Sequence, residues 1–237
     1  MRYTHSALTS SGGRSCNEDS VLFLFANNTF TAVVADGLGG EGGGDIASAT
    51  ATRAVSEHFH KNNTCSAQNI AAAVSQVDKA VLMAQSAHEE MKTTIILLHA
   101  TDNKAYCAHL GDSRLYQFRD GSILFQTRDH SVSQMAVSVG EIPPEEIRHH
   151  ADRNKLLRAL GTKLYVTPDI SELDIQSGDA FLLCSDGFWE LVFESEMLQC
   201  LKKSNNAATW LAEMEAALKP KLTQSSDNYS AVTVIVK

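Results

Sequence analysis

Four short apolar runs, TTIILLHA, KAYCAHL, SRLYQF and SILFQT, follow one another between residues 93 and 127 with no helical stretch among them. Runs joined by so few residues can only turn back on each other, so the series predicts antiparallel strands. VLFLF and FTAVVA, joined by the turn NNT, precede them, and AFLLC and AVTVIV follow. Helical spacing comes in pairs instead of after each strand. Ala47, Ala51, Ala54, Val55 and Phe59 mark one helix, with Asp45 as its candidate N-cap. Ile70, Val74, Val77, Val81 and Ala84 mark its neighbour, and a second pair is expected over 194–202 and 207–218. Runs of strands with paired helices specify an α+β protein of antiparallel sheets covered by helix pairs, and exclude a parallel βαβ sheet.

Between strands, residues 129–165 turn polar and carry Pro143 and Pro144, with helical stretches expected at 132–139 and 154–160. This segment reads as a subdomain inserted into one domain spanning 1–237. At that length the chain can bury a sizeable core without staples. The five cysteines are scattered with no C-x-x-C pair, which fits a reducing compartment and excludes a disulfide framework or a thiolate zinc site. A net charge of −8 argues against nucleic acid as a partner. The N-terminal stretch has no apolar signal region and no run is long enough to span a membrane, so a soluble, cytoplasmic protein is expected.

Six of the eight residues after Asp36 are glycine, in a chain with fourteen. Residues 37–42, GLGGEG, satisfy the dinucleotide pattern G-x-G-x-x-G between a strand and a helix, with Glu57 twenty residues on. Asp36 would press a carboxylate on the pyrophosphate, and antiparallel strands supply no crossover unit, so this rival is weak.

Asp36 also has company. VVAD36 and FLLCSD186 each bring an apolar strand to an Asp-Gly, AHLGD112 repeats the pattern, and Asp227 leads YSAVTVIV. Asn17-Glu18-Asp19 sits just before the first strand of the series. If neighbouring strands end together, these acids converge, and clustered carboxylates need cations. Oxygen-only clusters suit Mg²⁺ or Mn²⁺, and paired ions can activate water and clamp a phosphoryl oxygen. Taken singly, Asp36 or Asp186 is better explained as a turn residue than as a ligand, and Asp120-Gly121 between LYQF and ILFQ reads as a plain hairpin turn.

These residues resemble the metal-dependent protein serine/threonine phosphatases of the PP2C type. The resemblance runs through RSCNED (14–19), VVADGLGG (33–40), KTTIILL (92–98), GDSRLY (111–116), RDHS (128–131), LLRALG (156–161), LLCSDGFWE (182–190) and DNYSAV (227–232). It implies a four-layer α-β-β-α sandwich with a flap subdomain at about 129–165, most similar to the bacterial members. It also implies hydrolysis of phosphoserine and phosphothreonine in proteins by a metal-bridged water, reversing a serine/threonine kinase.

By the same resemblance Arg14 binds the substrate phosphate, Asp36 bridges two Mn²⁺ or Mg²⁺ ions, and Gly37 offers its carbonyl. Asp186 and Asp227 match ligands of one metal. Glu18 resembles the acid of the other, Asp19 orients a metal water, and Asp112 with Asp186 resembles the ligands of a weaker third ion. Glu190 lies where an acid can help hold that third ion. The remaining glycines shape the path from Asp36 to the helix at Asp45.

Leu38 departs from the DGHGG of animal and plant members, whose histidine is held to be the general acid, and Lys92 replaces a small residue. The alternative to an enzyme is a catalytically inactive regulatory binding protein of the same fold. Phosphorylated proteins are the expected partners, with neither nucleic acid nor membrane, and a monomer is expected. His130 reads as a packing or hydrogen-bonding residue, since hard metals disfavour imidazole. Arg114 is expected to brace the GDSR turn and Arg158 to touch the base of the flap. Cys184, Trp189 and Trp210 read as core.

Overall fold

The computed structural model describes residues 3–26, 28–39, 42–85, 91–162 and 167–237. Among the described residues eleven strands form two sheets, every ladder antiparallel. One sheet comprises β1 (Tyr3–Ser10), β7 (Arg114–Arg119), β8 (Ser122–Gln126), β10 (Ala180–Cys184) and β11 (Tyr229–Val236), in the order β1-β11-β10-β7-β8. The other comprises β2 (Asp19–Ala26), β3 (Thr29–Leu38), β5 (Ile95–Ala100), β6 (Lys104–Leu110) and β9 (Asp169–Asp174), in the order β2-β3-β5-β6-β9, and the two-residue β4 (Lys92–Thr93) pairs with β3.

The side-chain period of two builds the layers. Phe30, Ala32 and Val34 of β3 and Ile96 and Leu98 of β5 face Phe181, Leu183, Val232 and Val234 of the opposite sheet. The alternate residues Val33, Ala35, Ile95 and Leu97 face outward, under α1 (Gly44–Lys61) and α2 (Ala67–Ala84). On the other side Leu182, Cys184 and Ala231 pack under α5 (Glu194–Lys203) and α6 (Ala207–Leu218). Central strands buried on both faces thus read as unbroken apolar runs. The product is the expected α-β-β-α sandwich, with Trp189, Trp210 and Cys184 in its core.

Several local expectations are corrected. Asp45 lies in the first turn of α1, and the N-cap is Gly43 at φ 100°, a left-handed position that glycine adopts without strain. The strand carrying Asp36 continues to Leu38, because Gly37 and Leu38 pair with Thr93 and Lys92. A short helix, α4 (Asp186–Trp189), follows β10 at once.

Within 129–162 the helix α3 (Val132–Ser138) forms as expected, but 154–160 is not helical. Its backbone is claimed by neighbours instead: Val132 N–H donates to Lys155 O, Leu157 N–H to His130 O, and Leu160 pairs with Thr93. A 3₁₀ turn at Pro144–His149 takes the helical role. Strands β1 and β9 were not expected at all. The NNT turn includes Asn27, the glycine path Gly40 and Glu41, and the end of the polar segment 163–165, all outside the described residues.

Candidate active site

Antiparallel pairing places starts beside ends, so one rim of the sandwich collects the acids. Asp19, which opens β2, is opposite Asp36 near the end of β3. Ile95 at the start of β5 pairs with Leu110, two residues before Asp112. In the other sheet Cys184 pairs with both Arg114 and Ala231, bringing Asp186 and Asp227 to the same rim. The loop from β1 to β2 crosses this rim and carries Arg14 and Glu18.

A cavity of about 520 Å³ opens there, and its lining includes Arg14, Glu18, Asp36, Gly37, Leu38, Asp112, Asn154, Leu156, Asp186, Asp227 and Asn228. Oxygen atoms of Asp36, Asp112 and Asp186 lie within 4.8 Å of one another. Arg14 is the single cation among the described lining residues, and its Nη2 donates to Asp227 Oδ2 at 3.0 Å. Asp19 lies behind the lining, 7% exposed.

Backbone contacts hold the acids in place. Asp36 N–H donates to Thr94 Oγ1 (3.0 Å), while its carbonyl accepts from Thr93 Oγ1 (2.9 Å) and Thr94 N–H (2.8 Å). Thr94 shares a hydrogen bond with Ser113, next to Asp112, and the Trp189 indole N–H donates to the Asp112 carbonyl at 2.9 Å. Gly37 has no room for a side chain: a Cβ would lie 2.0 Å from the Gly44 carbonyl oxygen and 2.6 Å from that of Glu18. Gly187 is pressed as closely on the Asn228 carbonyl. Ser185 Oγ donates to Asp19 Oδ2 (2.8 Å) and accepts from Ser230 N–H (2.9 Å), tying the two sheets together beneath the cavity.

Burial, then repulsion from neighbouring carboxylates, raises the pKa values of Asp36, Asp186, Asp112, Asp19 and Glu18. Asp36 and Asp186 are pushed well above the ordinary carboxylate value, by burial first and then by Asp19 beside Asp36 and by Asp112 beside Asp186. Asp112 rises to about 7, mainly by burial and then by Asp129. Asp19 rises to about 6 by burial, despite hydrogen bonds from Ser230 and Ser185 that oppose it. Glu18 rises as well, through burial, Asp45 and Asp227.

The donor set fits divalent cations. It is all oxygen, Asp36, Asp112 and Asp186 crowd with no ion pair to a protein cation among the described residues, and Asp19 Oδ1 is buried with no hydrogen-bond partner. The second triad of possible ligands does not fit. His109, His130 and Asp169 approach one another, but the two imidazoles stack in parallel 4.4 Å apart. Arg158 Nη1 already stands 2.7 Å from His130 Nε2 and 2.8 Å from Asp169 Oδ1. His130 also accepts from Gly111 N–H and is a hydrogen-bonding residue, as its type suggests. Arg114 braces its turn by a two-pronged pair with Asp129, and Glu190 accepts from Arg153 at 2.9 Å.

Thr93, Thr94, Ser113 and Ser185 received no role from the sequence, and Trp189 received only a place in the core. Only the doubled threonine beside a strand offered a signal.

The layered fold and its acid-lined rim define a class, an α-β-β-α sandwich with a candidate divalent-metal centre. Comparison with known proteins narrows it: the chain belongs to the protein phosphatase 2C family, whose model matches residues 11–224. It is 32% identical to the serine/threonine phosphatase stp of Listeria monocytogenes over 195 residues, 78% of this chain and 77% of that one. Its fold superposes on serine/threonine phosphatase Stp1 from Staphylococcus aureus with TM-score 0.89 at 26% identity, covering 100% of this chain and 96% of that one. The catalytic domain of PstP, solved in complex with two manganese ions, matches at TM-score 0.84 and 29% identity over 99% of both chains. The dinucleotide reading falls on topology, since no ladder in either sheet is parallel.

Proposed function

We propose that this protein hydrolyses phosphoserine and phosphothreonine in proteins, using two Mn²⁺ or Mg²⁺ ions in the acid-lined cavity and a weaker third beside Asp112. The observation that carries the reading is one cavity in which five carboxylates from both sheets face a single guanidinium. Asp36, Asp186, Asp227, Glu18 and the Gly37 carbonyl would hold the core pair, with Asp19 orienting its waters and Asp112 completing the third position. The cations would supply Lewis acidity, activating water at neutral pH and neutralising phosphoryl charge.

The chain's own residues do the rest. Arg14 is always charged, and its planar fork matches phosphate oxygens, so it orients the phosphoryl group and offsets charge that builds during in-line attack. Asp227, which accepts from Arg14, keeps that side chain aimed at the acids. The threonine pair fixes the Asp36 backbone so that its carboxylate does not reorganise during the reaction. Leu38 carries no ionisable proton, so the leaving oxygen takes its proton from a group other than a side chain at that position. Residues 129–165, of which 163–165 lie outside the described residues, serve as a flap that places Asn154 and Leu156 on the cavity. The domain acts as a cytoplasmic monomer on phosphorylated proteins, opposing a serine/threonine kinase.

The test is hydrolysis of p-nitrophenyl phosphate and a phosphothreonine peptide with Mn²⁺, with Mg²⁺ and with EDTA, on wild type and Asp36→Asn. Turnover that requires metal and disappears in the variant is expected. Metal-independent turnover overturns the reading, and no turnover from folded, metal-loaded protein overturns it in favour of binding without hydrolysis.

A further inference from the structure

The phosphate-binding arginine sits on a loop, 55% of its side chain exposed, and loops do not hold such groups still by themselves. One buried side chain spans this loop from end to end. Asn228, 6% exposed, donates through Nδ2 to the carbonyls of Ser11 (3.0 Å) and Cys16 (2.9 Å), and its Oδ1 accepts from Glu18 N–H (2.8 Å). The Ser11 carbonyl also accepts from Arg14 N–H at 2.9 Å, closing the turn that presents the arginine. Asn228 in turn is held hard against the metal side of the cavity. It follows Asp227, donates its N–H to Asp227 Oδ1, and its carbonyl fills the space that Gly187 leaves beside Asp186.

We propose that Asn228 is the positioning residue that sets Arg14 and Glu18 against the acids of β10 and β11, so that phosphate affinity depends on its amide. This rests on the phosphatase reading for its substrate, though not for the clamp itself. The chemistry of the partners dictates an amide. Two carbonyls require two donors and one N–H requires an acceptor, in a single planar group. A carboxylate would turn an oxygen on two carbonyl oxygens, and a hydroxyl is too short to meet all three. Asp227 and Asn228 thereby divide the work: one faces the candidate metals, and the other fixes the loop that meets the substrate.

Asn228→Ala and Asn228→Ser test the clamp by three measurements. Steady-state kinetics on a phosphothreonine peptide should show KM, and the inhibition constant of inorganic phosphate, rising about tenfold with kcat changing much less. In an Arg14→Ala background the same substitution should add little, because its effect passes through Arg14. Amide hydrogen exchange should quicken across 11–18 and stay unchanged in β10 and β11, a local loosening that general destabilisation would not mimic. Unchanged exchange at 11–18, or a KM effect fully additive to Arg14→Ala, overturns the proposal. An inactive wild type would defeat the phosphatase reading, and the exchange pattern would still decide the clamp. If Asn228→Ala fails to fold, Asn228→Ser, which keeps a polar group, carries the same comparison.

Discussion

Two sets of buried or half-buried carboxylates in this sandwich are treated in opposite ways. Asp129 receives both prongs of Arg114 at 2.8 Å, with that guanidinium 3.4 Å over the Trp189 ring, and Asp179 receives both prongs of Arg119 at 2.7 Å. Asp36, Asp112 and Asp186 sit within 4.8 Å of one another with no such partner. Where a buried charge serves the frame, the chain supplies its own cation. Around Asp36, Asp112 and Asp186 it withholds one, and the crowding stores a demand that a proton or a cation from solution meets.

The strongest way to break this contrast is Asp36→Asn. Metal-dependent hydrolysis of p-nitrophenyl phosphate should be abolished while the far-ultraviolet circular dichroism stays native. Retained turnover would mean that the unpaired set is not the catalytic one. Asp129→Asn should do the reverse, costing about 3–5 kcal/mol in urea unfolding by leaving Arg114 buried without its anion. A loss below about 1 kcal/mol would show that the frame does not depend on the pair.

Cation binding sharpens the contrast further. Mn²⁺ at about a hundred times its dissociation constant stabilises the native state by about 2.7 kcal/mol, which is about 5–10 °C in a chain of this size. Thermal melts with Mn²⁺ and with EDTA should show that gap in wild type and a smaller one in Asp36→Asn.

A further test of the contrast is in pH. An acid whose pKa is raised by folding contributes stability that is fully present below its unfolded value and lost as pH climbs through the folded one. With Asp19 at about 6 and Asp112 at about 7, the metal-free protein should lose stability between about pH 4 and 7 on their account. Asp112→Asn should flatten that decline in EDTA. An unchanged pH profile would show that Asp112 does not titrate with the cluster.

Much of this was legible because it violates local expectation. Asp36, Asp186 and Asp227 each interrupt or border an apolar strand, and a charge at such a place needs a reason. Asp120-Gly121 supplied the control: both residues have positive φ in the β7–β8 turn, and a Cβ on Gly121 would meet nothing within 4 Å. Gly37, in the same dipeptide pattern, has backbone at 2.0 Å. Antiparallel sheets covered by helix pairs followed from paired helices between runs of strands, while the four-layer sandwich and the roles of single acids came from the family resemblance.

What was not legible lies in long-range partners. YTHSALTS is too polar to read as a strand, and β1 exists because β11 pairs with all eight of its residues. LLRALG looks helical, but its amides are committed to β4 and the start of α3. Asn228 reaches carbonyls 217 and 212 positions away, which no local pattern announces.

The sheet seam also has a consequence for how the protein is made. Asp19 and Asp36 emerge early from the ribosome, Asp186 and Asp227 late, and β11 must insert between β1 and β10 before the two groups face each other. A nascent chain therefore carries half a cation cage for most of its synthesis. On the proposed function, hydrolysis therefore waits until β11 takes its place and brings the late acids beside the early ones.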